Sequence, residues 1–584
     1  MTRNKELWIE LVGAALEQLV KDKGLDAGSF APEQLQTEVP PNPELGDLAF
    51  PMFPFAKVFR SAPPAIAEAV VELLPEEHRS AVTTAGGYLN IRFNRAGLVQ
   101  ETLKAVQEQG EAYGSSKAGA GVRVMIEFSC PNTNKPLHLG HLRNDALGES
   151  TARILSFAGA DVRKVNLIND RGVHICKSML AYLKFGNGAT PESSGLKSDH
   201  FVGDYYVRYN QWAAEDPSAE PAAKEMLRAW EQGDPETLEL WKLMNKWAID
   251  GIWDTYRRTH VSFDAVYYES ETYLLGKAEV LKGLASGAFY QDPDNSVWAD
   301  LSDIDLDKKV LLRSDGTSLY LTQDIGTAIT RHNDWPFDRM VYVVASEQIY
   351  HFKVLFHVIK KLGHDWAANL HHLSYGMVNL PEGKMKSREG TVVDADKLLD
   401  ELTELAAGEI REKAREDAVG DVRATAEKIA LGALHYYLLQ TTPNKDMIFN
   451  PEASLAFSGN TGPYLQYTGA RISSMLAKAQ AQGYRLDAEF DAGELNLDSE
   501  WDLVRRIAEF PSLVAAAAEN YNPSALTGYL YELAKSFSGY YHDVPVLQAG
   551  TEEQRAARIA LCVAVRRTLA NGLQLIGVPF LESM

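Results

Sequence analysis

The apolar pattern changes its period close to residue 138. Between residues 122 and 128 every second position is apolar, which is the spacing of a strand with one buried face. Pro131 and Pro136 interrupt this run, and from about His138 the apolar positions follow helical spacing. The alternation is carried by Val122, Val124, Ile126 and Phe128, and the helical stripe by Leu139, Leu142, Ala146, Leu147 and Ile154. A strand, a loop and a helix are therefore predicted in this order.

A second strand is predicted at residues 162–168, directly after this helix. A strand, a helix and a parallel strand form a right-handed crossover of the Rossmann type. The run MVYVVA at residues 340–345 indicates another buried parallel strand. The stretch DGTSLYLTQDI at residues 315–325 begins with an Asp-Gly turn and then alternates, which predicts a turn followed by a strand. The predicted fold class is α/β, with a doubly wound parallel sheet in the centre of the chain.

The rest of the chain divides into further domains. Residues 1–115 combine two helical stripes with a strand at residues 86–93, so they are predicted to form a small α+β domain. The sheet domain is expected over residues 116–395, with a Trp-rich helical insertion at about residues 177–260. Further apolar stripes predict an all-α helix bundle over residues 396–584.

Composition narrows the class of protein. The chain has 584 residues and a mass of 64.6 kDa, which is more than one core usually supports, so three or four domains are expected. No apolar run is long enough to cross a bilayer and the charged N-terminus is no signal peptide, so we expect a cytoplasmic protein without a membrane partner. The net charge of −21 argues against indiscriminate nucleic-acid binding, but local basic patches can still bind an RNA.

Cysteine usage predicts no structural metal. The chain has 3 cysteines and no Cys-x-x-Cys pair, which argues against a disulfide framework and a four-thiolate zinc site. His174 and Cys176 are close in sequence, but we interpret them as core or loop residues. Nothing in the sequence indicates an obligate oligomer, and a monomer is expected.

Two histidines begin the helix that is predicted after the first strand. His138 and His141 lie three residues apart on its first turn, beside unpaired N–H groups and the positive end of the helix dipole. This arrangement suits an anion such as a triphosphate, and Gly140 leaves room for a nucleotide. Ligands of parallel sheets bind at the carboxyl ends of the strands, where these histidines would lie. A pair of surface histidines without a ligand is the alternative interpretation of this spacing.

The longer string PNTNKPLHLGHLRND, residues 131–145, resembles the HIGH motif of class I aminoacyl-tRNA synthetases in its arginyl-tRNA synthetase form. GDLAFPMFPFAK, PPAIAEAV and GGYLNIRF resemble the N-terminal additional domain of that family, and NTGPYLQYTGARISSM with LIGVPFLESM resembles its DALR anticodon-binding domain. The resemblance implies an arginine–tRNA ligase: ATP and arginine give arginyl-adenylate and pyrophosphate, and tRNA(Arg) then takes the arginyl group. It also implies that tRNA binds before the first step, and that Mg²⁺ accompanies ATP as a substrate ion.

The resemblance assigns further residues to ATP. GKMKSREG, residues 383–390, is the counterpart of the KMSKS loop of class I enzymes. Its expected donors to the triphosphate are Lys384, Lys386 and Arg388. The loop departs from the consensus, because Ser387 occupies the position of the second lysine. Lys135 matches the lysine that is thought to take over this role in the family, so we expect Lys135 to support the transition state, with Lys386 as a second donor.

The resemblance also assigns an arginine pocket and tRNA contacts. Asp324 is expected to hold the guanidinium, because a carboxylate in a dry site holds this planar fork of donors best. The expected arginine-binding residues are Glu127, Asn132, His138, Tyr320, Asp324 and Gln348. The expected tRNA contacts are Tyr464, Gln466, Tyr467 and Arg471, with packing at a helix start as the alternative. In the N-terminal domain the residues interpreted either as base-stacking or as core are Phe50, Phe53, Phe55 and Phe59.

Two other classes of function use parts of this pattern. A cytidylyltransferase or another class I synthetase has the same histidine pair, but the former does not need the C-terminal bundle, and a cysteine-specific synthetase needs a zinc-type Cys/His set. A synthetase-derived RNA-binding protein without turnover has no chemical reason to keep His138, Gly140, His141 and Asp324 together. The sequence therefore favours arginine–tRNA ligase activity.

Overall fold

The computed structural model describes residues 2–25, 35–40, 42–381, 393–412, 415 and 419–584. The strands in this part of the chain are β1 (Leu48–Pro51), β2 (Val82–Ala85), β3 (Tyr88–Ile91), β4 (Arg123–Glu127), β5 (Asp161–Ile168), β6 (Ala265–Tyr268), β7 (Tyr290–Gln291), β8 (Val297–Ala299), β9 (Lys309–Leu312), β10 (Arg339–Ala345), β11 (Leu370–Tyr375), β12 (Val378–Asn379) and β13 (Met447–Ile448).

The central sheet is parallel and has the strand order β11-β10-β4-β5-β6. Its register pairs Glu127 of β4 with Tyr342 of β10 on one side and with Val165 of β5 on the other. The order reverses between β4 and β10, and ligands of such sheets bind at the carboxyl ends of the strands on either side of that point. The predicted Rossmann-type sheet is therefore confirmed.

Helices cover most of the remaining described residues. The helix that follows β4, Leu139–Phe157, is called the signature helix below, and Tyr320–Asp334 is called the pocket helix. The other helices are Thr2–Asp22, Ala56–Phe59, Pro63–Leu73, Glu76–Arg79, Arg95–Gln109, Val173–Phe185, Pro191–Ser194, Ser198–Glu215, Ala219–Glu231, Pro235–Arg258, Glu269–Thr272, Leu275–Ser286, Ile349–Lys361, Ala395–Glu412, Val422–Leu439, Pro451–Ser454, Gly462–Ala481, Asp498–Glu519, Ser524–Asp543 and Glu552–Leu575.

The helical insertion lies between β5 and β6 and has its own core. Asp234 caps its longest helix by accepting a hydrogen bond from the Thr237 N–H, and Pro235 occupies the first turn, where a missing N–H costs nothing. Its buried core includes Phe201, Tyr205, Tyr209 and Met244. The partly buried tryptophans Trp212, Trp241 and Trp247 pack against this core. The aromatic-rich sequence is therefore explained by packing.

The pocket helix packs on the central sheet through an apolar stripe. Leu321, Ile325 and Ala328 belong to the same buried apolar cluster as Met340 and Tyr342 of β10. The helix Leu275–Ser286 approaches the pocket helix at backbone distance, since a Cβ at its Gly276 would lie 1.5 Å from the Thr322 carbonyl oxygen. These contacts hold the pocket helix between the central sheet and the helix Leu275–Ser286.

The prediction of a strand over residues 315–325 is wrong beyond its turn. Gly316 has φ 75° and the Arg313 N–H donates to the Thr317 carbonyl at 3.0 Å, so the Asp-Gly turn forms as expected. The chain then makes a single bridge between Leu312 and Ser318 and begins the pocket helix at Tyr320. Helical spacing of the buried residues from position 321 onward outweighs the short alternation before it.

The chain divides into two compact units. One contains Met1–Tyr113, Met475–Ser512 and Lys535–Thr568. In it, Asp47 accepts hydrogen bonds from the Phe93 N–H and from the indole N–H of Trp501, both at 2.9 Å. Phe50, Phe55 and Phe59 are buried in its core, whereas Phe53 is half-exposed.

The other unit contains Gly114–Ser474, Leu513–Ala534 and Leu569–Met584. It includes the whole central sheet, the insertion and the signature helix. Within the part of the chain that the structure describes, no helix combines the length and the apolar character that a membrane span requires.

Candidate active site

The two histidines of the signature helix are held by backbone hydrogen bonds. His138 is the N-cap, and its Nδ1 accepts from the Gly140 N–H at 3.1 Å. The Nδ1 of His141 accepts from the His138 N–H, also at 3.1 Å, and the two ring centroids are 3.9 Å apart. Because each Nδ1 is an acceptor, the proton of each neutral ring resides on Nε2. Each ring therefore keeps an Nε2–H donor for a ligand.

Burial sets the charge of this histidine pair. It lowers the pKa of His138 to about 4, and the charge of Lys135 adds to the effect. Burial also lowers the pKa of His141 well below its usual range, with His138 and Lys135 as further causes. Both imidazoles are consequently neutral at pH 7 and act as hydrogen-bond donors next to a lysine.

Gly140 has a structural role in this arrangement. A Cβ at this position would lie 2.9 Å from Cε1 of His138, so any larger residue would displace the ring. The sequence predicted that Gly140 makes room for a nucleotide; the structure adds that it makes room for the first histidine.

The loop between β4 and the signature helix has an unusual backbone. Ser129 and Cys130 have φ of 73° and 48°, a region that non-glycine residues rarely adopt. The Ser129 N–H donates to Oδ1 of Asn144 at 2.6 Å, and Nδ2 of Asn144 donates to the Val343 carbonyl at 2.8 Å. Asn144 thus ties this loop to β10, a role that sequence reasoning missed although the residue lies within the histidine motif.

A cavity of about 400 Å³ opens between this loop and the insertion helix Ser198–Glu215. Its size is typical of a site for a small-molecule ligand. The predicted residues Asn132, Lys135 and His138 line it together with Asn134, Pro136, Leu137, His174, His200, Gly203, Asp204, Tyr206, Val207, Asp394 and Lys397. Burial lowers the pKa of Lys135. Lys384, Lys386 and Arg388 lie outside the described residues.

Asp324 and Tyr320 lie on the pocket helix, one turn apart on the same face. A carboxylate oxygen of Asp324 lies 2.7 Å from Nε2 of His351, and Tyr320 is exposed. Gln348 is exposed at the end of the short 3-10 turn that follows β10. All three residues therefore belong to elements that begin at the carboxyl end of the central sheet.

Glu269 adds a carboxylate that sequence reasoning missed. It directly follows β6, and burial raises its pKa to about 7. The Arg171 charge opposes this shift, while the charges of Asp170 and Asp324 increase it. A cluster of carboxylates within electrostatic reach of Asp324 favours a cationic ligand. Its position after a parallel strand is the signal that could have identified it.

Glu127 is ion-paired with Arg331, which is fully buried on the pocket helix. Burial raises the pKa of the Tyr342 hydroxyl, and the charges of Glu127 and Asp324 raise it further, so both carboxylates lie within electrostatic reach of this side chain. Arg331 links the end of β4 to the pocket helix and fixes the orientation of the Glu127 carboxylate. No local pattern in the sequence identifies Arg331, because its partner Glu127 lies about two hundred residues earlier.

The predicted tRNA contacts lie on the helix Gly462–Ala481 and differ in exposure. Tyr467 is exposed, and Tyr464 and Arg471 are half-buried. Gln466 is fully buried, and its Nε2 donates to the carbonyls of Lys428 and Pro579, both at 2.9 Å. The prediction that Gln466 contacts tRNA is therefore wrong, because its side chain is buried at the helix start and its amide N–H groups donate within the protein.

Three family models match the chain in succession. Residues 6–93 match the arginyl tRNA synthetase N terminal domain, residues 102–451 match the catalytic domain of tRNA synthetases class I (R), and residues 465–584 match the DALR anticodon binding domain.

The chain is also similar to curated proteins and solved structures over its full length. The arginine–tRNA ligase of Treponema denticola is 55% identical over 589 residues, covering 99% of this chain and 99% of that protein. The Treponema pallidum protein of the same name is 53% identical, with 99% of each chain covered. The arginyl-tRNA synthetase of Thermus thermophilus is 28% identical with a TM-score of 0.81, covering 98% of this chain and 99% of that chain.

Proposed function

Because this chain belongs to the arginyl-tRNA synthetase family of class I and is an arginine–tRNA ligase, we propose that it activates arginine between the histidine pair and Asp324. The main observation in favour of this proposal is that elements at the carboxyl end of one sheet carry both the two neutral Nε2–H donors of His138 and His141 and the carboxylate cluster around Glu269. The donors suit a phosphate and the carboxylates suit a guanidinium.

In the first step the arginine carboxylate attacks the α-phosphate of ATP and pyrophosphate leaves. Negative charge develops on the transferred and departing oxygens, so donors that are already in place lower the barrier. We assign this role to His138 and His141, with Lys135 as the neighbouring cation and with Lys384, Lys386 and Arg388 as further donors to the triphosphate. Mg²⁺ enters with ATP as the ion of the substrate, held largely by its phosphates.

The amino acid is held by three parts of the site. Asp324 and Glu269 bind the guanidinium, with Tyr320 and Gln348 at the edge of the pocket. Glu127 and Asn132 bind the α-amino and carboxylate groups. The buried pair of Glu127 and Arg331 supports this assignment, because it holds the carboxylate in one orientation before the substrate binds.

In the second step a hydroxyl of the terminal ribose of tRNA(Arg) attacks the arginyl carbonyl and AMP leaves. We assign residues 396–584 to anticodon binding, with Tyr464, Tyr467 and Arg471 as candidate contacts, and residues 1–115 to another part of the tRNA. The enzyme is proposed to act as a cytoplasmic monomer that needs bound tRNA for the first step.

Pyrophosphate exchange tests this function. Each of the 20 standard amino acids is offered to the enzyme with labelled pyrophosphate and ATP, with and without tRNA. We expect exchange with arginine only, and only when tRNA(Arg) is present. Exchange without any amino acid would indicate a nucleotidyltransferase, and no exchange under any condition would refute catalysis.

Glu269 makes the affinity for arginine dependent on pH. Its pKa in the free enzyme is about 7, and a bound guanidinium favours the ionised carboxylate, so binding releases a proton below pH 7. The KM for arginine should therefore rise as the pH falls through 7, by up to about tenfold per pH unit, whereas the KM for ATP should not follow this curve.

Glu269→Gln should abolish the rise of the arginine KM that begins as the pH falls through 7, which appears as a bend in the pH profile. Glu271→Gln is the matched control, since Glu271 is exposed on the same short helix. A bend that persists in Glu269→Gln would assign the titration to another group.

Lys135 and Lys386 can be separated by the same substitution at each position. Lys135→Met should lower kcat for arginine-dependent exchange by about 100-fold, which corresponds to the loss of one donor to a developing charge. Lys386→Met should lower it by less than about tenfold. If Lys386→Met has the larger effect, the loop lysine is the main donor and the role proposed for Lys135 is wrong.

A further inference from the structure

The backbone on which His138 lies is paired with a distant segment. The Leu139 N–H donates to the Val393 carbonyl and the Ala395 N–H donates to the Leu137 carbonyl, both at 3.0 Å. These two hydrogen bonds form an antiparallel bridge between His138 and Asp394. The extended conformation that makes His138 an N-cap is therefore fixed by residues that come about 255 positions later in the chain.

The same distant segment is held by the helical insertion. One carboxylate oxygen of Asp396 accepts hydrogen bonds from Lys197 Nζ at 2.7 Å and from the Thr255 hydroxyl at 3.0 Å. Its other oxygen accepts from Arg258 at 2.9 Å. Nε2 of His200 lies 3.4 Å from both Asp394 and Asp396. Lys197, Thr255, His200 and Arg258 all belong to the insertion or its immediate border, and these side chains with Asp394 and Asp396 are called the clamp.

The clamp depends on cations that compensate buried carboxylates. Asp396 is 7% exposed. Its burial would raise its pKa, but hydrogen bonds and charges from His200 and Lys197 hold that pKa well below the usual range. Lys197 also contacts Asp199, which is fully buried, at 3.0 Å. Removal of the lysine would therefore leave two buried carboxylates without their shared cation, which is costly.

A bound metal ion is the competing explanation for this group. Ligand atoms of Asp199, His200 and Asp396 lie within 4.8 Å of one another. Lys197 and Arg258 already donate to the carboxylates, so the negative charge that would attract a divalent cation is compensated by protein cations. The contacts therefore favour a protein-only link between the insertion and the segment that pairs with His138.

We propose that the helical insertion positions the first histidine of the signature helix through this clamp, so that Lys197 and Asp396 are positioning residues for the phosphate-transfer step. The inference rests on the function proposed for His138. It gives the insertion a role in catalysis, because a shift of the Asp394 backbone would move the N-cap that carries the Nε2–H donor. Misplacement of such a donor by a fraction of an ångström weakens it mainly in the transition state.

The test is Lys197→Met, measured by arginine-dependent pyrophosphate exchange in the full-length enzyme with tRNA. We expect kcat to fall by about 10-fold to 30-fold while the KM for arginine stays within about threefold. Lys197→Arg should restore most of the activity, because it keeps the charge. Lys177→Met is the matched control: Lys177 lies in the same insertion and forms an ion pair with Glu220 at 2.5 Å, and its loss should change kcat less than about twofold.

A double-mutant cycle separates positioning from general destabilisation. If the clamp acts through His138, Lys197→Met should change kcat less than about twofold when it is added to His138→Ala. An equal loss in both backgrounds, or an equal loss in the Lys177→Met control, would overturn the proposal. If His138→Ala alone leaves kcat unchanged, the function proposed for His138 fails instead. Thermal unfolding of each variant is followed in parallel, and a kcat that is normal once corrected for the folded fraction would also overturn the clamp.

Discussion

Replacing Asp324 with asparagine should raise the KM for arginine by about 100-fold while the KM for ATP changes less than about threefold. The substitution keeps the shape of the side chain but removes the charge that the guanidinium pairs with, and loss of a charge-assisted interaction in a partly buried site costs about 3 kcal/mol. The measurement is a pair of substrate titrations by pyrophosphate exchange in the presence of tRNA.

His351 provides the control for this prediction. Its Nε2 contacts Asp324 at 2.7 Å, so a change at Asp324 could act by releasing His351. His351→Gln keeps a polar partner for the carboxylate and should raise the arginine KM far less than Asp324→Asn. Equal increases in the KM values for arginine and ATP in Asp324→Asn would count against a guanidinium contact, because they would indicate a general distortion of the site.

His141→Ala should lower kcat by about 100-fold to 1,000-fold with a modest change in either KM. Its Nε2–H donates most strongly when charge develops on the phosphate oxygens, so its loss is felt in the transition state and little in the ground state. Single-turnover formation of arginyl-adenylate measures the chemical step directly.

The neutral state of His141 leads to a second expectation, which concerns the wild-type enzyme. Burial holds its pKa well below the usual range, so the rate of the wild-type enzyme should show no histidine titration from this ring between pH 6 and 8. His357→Ala is the control for His141→Ala and should leave kcat unchanged, because His357 lies on the helix Ile349–Lys361 and its Nε2 pairs with Asp303 at 2.9 Å. An unchanged kcat in His141→Ala would remove this histidine from the mechanism.

The parts of the site that are local in sequence could be predicted from it. The strand β4, the loop and the signature helix follow one another within about 35 residues, and the change from alternating to helical spacing identifies each of them. The helices of the insertion and of the C-terminal bundle were predicted for the same reason, because their apolar stripes are long.

The parts of the structure that depend on partners distant in sequence could not be predicted from it. The alternation before Asp324 predicts a strand, but Leu321 and Ile325 are buried together in one apolar cluster, and this burial favours the helix that forms. Gln466 is predicted to contact tRNA, with packing at a helix start as the alternative, and its amide donates to the carbonyls of Lys428 and of Pro579, which lies 113 residues later. The clamp on Asp396 joins side chains almost two hundred positions apart, which no local pattern can indicate.

The decisive experiment is a crystal structure of the enzyme with arginine and a non-hydrolysable ATP analogue. We expect the guanidinium about 3 Å from an Asp324 carboxylate oxygen, and the Nε2 atoms of His138 and His141 about 3 Å from phosphate oxygens. A guanidinium bound away from the pocket helix, or phosphates bound without either imidazole, would contradict this expectation.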